Sequence, residues 1–158
     1  MDTSVTIIGL VLTLIIAAPI LYNLRSTSLN KSKINAIKDQ FSQNNHFKFE
    51  IVDRLNKKIL ALDDKNKGFL LMDFNTKSEK NSFVNLNDVQ SCKLVLTTAN
   101  NGDTTNSIVV EFQYKENKKT ESVPFYKIEN DQMGQICLYE DYQLAKKWKA
   151  IFDSHIKK

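Results

Sequence analysis

Few side chains in this chain are suited to metal or catalytic chemistry. The histidines are His46 and His155, and the cysteines are Cys92 and Cys137. A zinc-type site needs several His, Cys or carboxylate ligands converging on one point. The residues three and four positions beyond each histidine complete no recognisable ligand set. A serine nucleophile on a strand–helix elbow would show G-x-S-x-G, and a reactive cysteine would have a basic neighbour. The chain has no G-x-S-x-G, only Cys92 has an adjacent basic residue, Lys93, and the four glycines form no phosphate-cradling loop. Two carboxylate pairs remain, Asp63-Asp64 and Glu140-Asp141. The first falls in a turn, where Asp bonds its own backbone. The second opens a helix, where anions suit the dipole. Asp63 to Gly68 lacks the closing glutamate of a calcium loop. The reading is therefore no metal, no cofactor and no enzyme, and an active site assembled from scattered polar groups is the rival reading.

The elements that must position these residues divide sharply by composition. The 158 residues carry a net charge of +4, too weak and too dispersed for nucleic acid. No charged side chain occurs from Thr3 to Leu24. Those residues, as a helix rising about 1.5 Å each, reach roughly 33 Å, enough for a hydrocarbon core of about 30 Å. A cleaved signal peptide is the competing reading. It would want a basic start and a small-residue cleavage site, whereas the chain opens Met1-Asp2 and Pro19 follows Ala17-Ala18. We expect a retained membrane-spanning helix over 3–24. Arg25, Lys31, Lys33 and Lys38 follow it and no basic side chain precedes it. The positive-inside bias then puts the remainder in the cytoplasm, with Tyr22 and Arg25 at the membrane interface. Cys92 and Cys137 read as small buried hydrophobes. A single bridge between them is the alternative, and would argue for the opposite side of the membrane.

Residues 25–45 read as a linker holding a short amphipathic helix from about Leu29 to Gln43. Ile34, Ile37 and Phe41 share one face at i, i+3 and i+7. From His46 the period changes to two, and 46–158 read as the folded domain. Phe47, Phe49 and Ile51 alternate with Lys48 and Glu50 as a half-buried strand. Further strands are expected at Lys58–Leu62, Phe69–Phe74, Ser82–Leu86, about Ser91–Thr97, Ile108–Tyr114 and Thr120–Phe125. The turn before the third is expected to use Gly68 for its permissive backbone. Cys92, Leu94 and Leu96 share a face of the fifth strand. A helix from about Tyr139 to Ile156 closes the chain. Its stripe of Leu144, Ala145, Trp148, Ile151, Phe152 and His155 makes it part of the core. The fold class is α+β: a membrane helix, then an antiparallel bent barrel or sheet of about seven strands capped by a C-terminal helix.

That order of strands and terminal helix, with Trp148 on the helix, resembles the pleckstrin-homology-like fold over residues 46–158. The stretch Ile59 to Lys67 followed by Phe83 to Ser91 is similar to bacterial versions of it. Val84 to Lys93 and Gln143 to Trp148 resemble small single-pass membrane proteins of Bacteroidetes-type bacteria, a likeness that brings no activity with it. The fold resemblance implies basic side chains around the first hairpin as lipid-headgroup or partner contacts, here Lys48, Arg54, Lys57 and Lys58.

The expected function is a membrane-anchored interaction or scaffolding module, an accessory subunit of a bacterial inner-membrane complex. Its partners are membrane lipid and another membrane protein, met through an exposed strand edge or the cap helix. A sensor of anionic lipid surfaces is the second reading.

Overall fold

Three residues in the left-handed region mark the start of the β-rich part of the chain. Gln43, Asn44 and Asn45 have φ of 47°, 58° and 65°. Asn tolerates that region better than most residues, and a helix cannot continue through it. The computed structural model describes residue 7 and residues 30–75, 80–99, 102–116, 118–131 and 135–156. The expected membrane-spanning segment 3–24, with Tyr22 and Arg25, lies outside the described residues apart from Ile7. Among the described residues no helix is long and apolar enough to cross a membrane.

The chain divides into two units, Met1–Gln40 and Phe41–Lys158. Residues 30–41 are helical, which we label α1, and Ile34 and Ile37 are buried in it. The second unit runs β1 (Glu50–Leu55), β2 (Lys58–Asp63), β3 (Gly68–Asp73), β4 (Lys80–Asn85), β5 (Val89–Thr98), β6 (Thr105–Tyr114), β7 (Thr120–Lys127) and α2 (Leu138–Ile156). Short 3-10 turns, Leu86–Asp88 and Ile128–Asn130, follow β4 and β7. The strands form two antiparallel sheets, β1-β2-β3-β4 and β5-β6-β7. The class is therefore α+β, with seven strands in two sheets and a C-terminal helix.

The core explains why α2 belongs to the domain. Leu60, Leu62, Phe69, Leu71 and Val84 meet Ile108, Val110, Phe112, Val123 and Phe125 in one apolar cluster. From α2, Leu144, Ala145, Trp148 and Phe152 complete it, with Ile151 partly buried against it. Phe152 packs on Phe69 and on Phe112, with ring centroids 4.7 and 4.9 Å apart. One helix side chain thus touches both sheets. Each such side chain contributes about 1.5–3 kcal/mol on burial.

Sheet pleat carries a second layer. Every residue of β2 and of β3 is buried. Ala61, Leu70 and Phe83 are register partners on the face opposite the core. There Phe83 packs on Phe47 and Phe49 at 5.1 and 6.0 Å.

Three local expectations change. Phe47 and Phe49 are buried but precede β1, and a bulge at Val52 leaves that side chain exposed and breaks the simple alternation. Leu96 is on the core face of β5 yet exposed, because the strand runs on past the packed region. Gly68 supplies no left-handed turn; Lys67 does, at φ 57°. A Cβ at Gly68 would collide with the Phe47 ring. The glycine is needed for close packing, not for turn conformation.

Candidate functional site

The β1–β2 hairpin turns on Asn56 and Lys57, whose φ values are 47° and 61°. Two consecutive left-handed residues make the tight turn that matches strand twist. Lys58 then opens β2 opposite Leu55, with Asp73 as its register partner on β3. It shares the inward face of β2 with Leu60 and Leu62, so its ammonium points into the domain. There it meets Asp141, in the first turn of α2, at 2.9 Å, with side-chain exposures of 5% and 2%. Asn56 donates to the other Asp141 oxygen at 3.0 Å. Asn75 holds the turn in place by donating to the Asn56 carbonyl at 2.7 Å.

A second carboxylate organises the approach to α2. Asp131 accepts from the Tyr126 hydroxyl at 3.3 Å and from the Cys137 amide at 3.0 Å. Asn56, Lys58, Asn75, Tyr126, Asp131, Cys137 and Asp141 line a cavity of about 20 Å³, room for roughly one water.

The electrostatics follow from burial. Desolvation pushes the Asp141 carboxyl up, against the pull of the Lys58 ammonium. Burial, aided by Asp131, pushes the Tyr126 phenol up to about 12. Burial, with Asp131 and Asp141 nearby, also raises the Cys137 thiol. Burial and the Asp153 carboxylate push the Cys92 thiol up to about 12. Both cysteines are free thiols. Held protonated in these surroundings, they are poor nucleophiles.

Polar contacts along α2 continue the pattern. Asp53 on β1 accepts from the Trp148 indole at 2.7 Å and from Lys147 at 2.9 Å. The Lys67 ammonium donates to the His155 carbonyl at 3.0 Å, where a cation suits the helix end. His155 Nε2 lies 2.7 Å from Asp64. The helix is thus tied to the four-stranded sheet at its start, middle and end.

The four basic residues expected around the first hairpin do not form one cluster. Arg54 and Lys57 are exposed beside the turn. Lys48 is also exposed, but its amide donates to Asp63 at the far end of β2, at 2.7 Å. A strand of that length separates it from Lys57 by roughly 20 Å. Lys58 is buried in its ion pair. The expected helix core residues Leu144, Trp148 and Phe152 are buried, and Ile151 is partly so. The roles of Asp53, Asn56 and Asp141 were not legible, because nothing in the spacing of residues 53–58 marks position 141 as a neighbour. Among the described residues, no group of three or more His, Cys, Asp or Glu is placed to hold a metal ion.

A few large apolar side chains are also exposed. Tyr139, Ile136 and Leu96 are 72%, 62% and 47% exposed. Leu96 and Tyr139 face one cleft of about 290 Å³ between the end of β5 and the start of α2, shared with Leu138 and Tyr142. β5 pairs only with β6 among the described residues, and α2 packs beside it, with Cys92 Sγ 3.5 Å from Asp153.

No family model, curated protein or solved structure matches this chain.

Proposed function

We propose that Phe41–Lys158 is a pleckstrin-homology-like interaction module, tethered to a bacterial inner membrane by segment 3–24 and facing the cytoplasm. It serves as an accessory or scaffolding subunit of a membrane complex. The fold reading is supported by four strands, then three, then a helix that carries a core tryptophan. The tether rests on the uncharged run from Thr3 to Leu24 and the basic residues after it. A tether raises the local concentration of the module near any membrane partner.

The observation that carries a contact role is the exposure of Leu96 and Tyr139 on one apolar cleft between β5 and the start of α2. The polar groups near that helix end are meanwhile engaged: buried Lys58 with buried Asp141, and half-buried Asp131 with the Tyr126 hydroxyl and the Cys137 amide. An anionic-lipid reading rests on Lys48, Arg54 and Lys57 alone, since Lys58 is paired internally, and is the weaker of the two.

The test is mild detergent extraction of the full chain from native membranes. A membrane protein should co-purify in stoichiometric amount and be lost with Tyr139→Asp. A solitary monomer would reject the reading.

A further inference from the structure

One side chain fastens the last turn of α2. His155 is 14% exposed, and each of its ring nitrogens faces an oxygen. Nδ1 lies 2.8 Å from the Ile151 carbonyl, and Nε2 lies 2.7 Å from Asp64 on the β2–β3 turn. A carbonyl and an ionised carboxylate only accept. A neutral imidazole has one N–H and one lone pair, so it satisfies one of these oxygens and turns its lone pair on the other. Only the doubly protonated ring donates to both. Ser154 does not rescue the neutral ring. Its hydroxyl is 3.2 Å from Nδ1 but donates to the Ile151 carbonyl at 2.7 Å. The same bond rules out Ser154, His155 and Asp64 as a catalytic triad, because the serine proton is not offered to the ring.

We propose that His155 is a proton-operated latch, which ties the end of α2 to the β2–β3 turn when its ring carries two protons and releases it when the ring carries one. The charges around it suit that role. The C-terminal end of a helix favours a cation, and the Asp64 carboxylate is in direct contact. Lys67, on the same turn, is the opposing like charge, and its ammonium donates to the His155 carbonyl at 3.0 Å. Lys65 on that turn is exposed. The other acidic groups of the neighbouring elements are engaged elsewhere: Asp63 with Lys48 and Asn66, Asp88 with Asn85, and Asp153 with Lys149. Asp64 is 90% exposed, so it swings into water once the ring loses a proton. An imidazole ordinarily changes charge between about pH 5 and 8. The bond set is complete only with the second proton. Its contribution is therefore present at acidic pH and is lost as pH rises. What the latch holds is the turn that follows Phe152, which packs on both sheets. The Tyr139 cleft lies at the other end of α2, roughly 24 Å along the helix, and the latch does not depend on the contact role given to that cleft.

The test is NMR of the full chain in detergent, with the ring signals assigned against His155→Gln. Hydrogen exchange of the amides of residues 153–156, corrected for its intrinsic pH dependence, should be at least threefold faster at pH 8.5 than at pH 5.5. The ring should lose its second proton in step with that loosening. His155→Gln should remove the difference between the two pH values and leave the helix end open at both. Asp64→Asn is the discriminating variant. Its amide donates to an unprotonated Nε2 as readily as it accepts from a protonated one, so the helix end should stay closed at both pH values. Circular dichroism confirms that each variant folds. Wild-type exchange that is the same at both pH values overturns the inference. An Asp64→Asn helix end as open as that of His155→Gln also overturns it, since the contact is then an ordinary ion pair with no gating by the second proton.

Discussion

Lys58 on β2 and Asp141 on α2 are 83 residues apart in sequence and 2.9 Å apart in space, both out of water. Burying two charges costs several kcal/mol each, and their attraction offsets this only with good geometry and further hydrogen bonds. Asn56 supplies one of those bonds. Removing one partner strands the other charge. Lys58→Met leaves the Asp141 carboxylate buried without its cation and should cost about 3–5 kcal/mol in urea unfolding. Asp141→Asn removes a charge that burial already disfavours and should cost less. The double variant Lys58→Met with Asp141→Leu should regain most of the Lys58→Met loss. If the double variant is as unstable as Lys58→Met alone, the pair is not the coupled unit described.

Trp148 should report on Asp53. The indole N–H donates to Asp53 at 2.7 Å while the ring lies in the core against Phe69 at 5.1 Å. Trp148→Ala removes both and should cost about 3–5 kcal/mol. Asp53→Asn keeps the shape and an acceptor but loses the charge facing Trp148 and Lys147, and should cost about 1–2 kcal/mol. Thermal unfolding of the two variants separates packing from hydrogen bonding.

Gly68→Ala should destabilise the domain by about 1–3 kcal/mol through overpacking, because the new methyl lies 2.9 Å from Phe47 Cε1. Adding Phe47→Leu should relieve part of the cost. If Gly68→Ala unfolds at the wild-type denaturant midpoint, the close approach of Phe47 is wrong.

Two carboxylates should pull the pH profile in opposite directions. Burial works against the Asp63 charge, but the amides of Lys48 and Asn66 and the Asn66 side chain outweigh it and hold its carboxyl below the usual range. A carboxyl lowered in the fold contributes stability above its unfolded value, near 3.9, and loses it as pH falls through the folded value. For Asp141 the shift is upward, so acid first relieves its burial cost. Asp63→Ala should therefore cost about 1.5–3 kcal/mol at pH 7 and flatten the acid limb of the stability curve. Denaturant midpoints from pH 3 to 7 give the comparison.

Liposome flotation of the domain should show only weak preference for anionic lipid. Lys48, Arg54 and Lys57 contribute about 1 kcal/mol each near a surface, and Lys48 sits away from the other two. Changing all three to Ser should abolish what preference there is. Binding that persists unchanged would locate the lipid contact elsewhere.

Local pattern was enough to read the elements themselves. Alternation from Ile108 to Tyr114 gave a strand because side chains on a pleated backbone repeat every two residues. The spacing of Leu144, Ala145, Trp148 and Phe152 gave a buried helix face for the equivalent helical reason. Tertiary structure alone decided which polar groups were free. Lys58 looks like any lysine flanking a turn until β2 aims it inward at a carboxylate 83 residues away. Leu96 looks like its core neighbours Leu94 and Cys92 until the strand outruns the packing. Periodicity is written in neighbours along the chain, whereas burial and pairing depend on what folds against them.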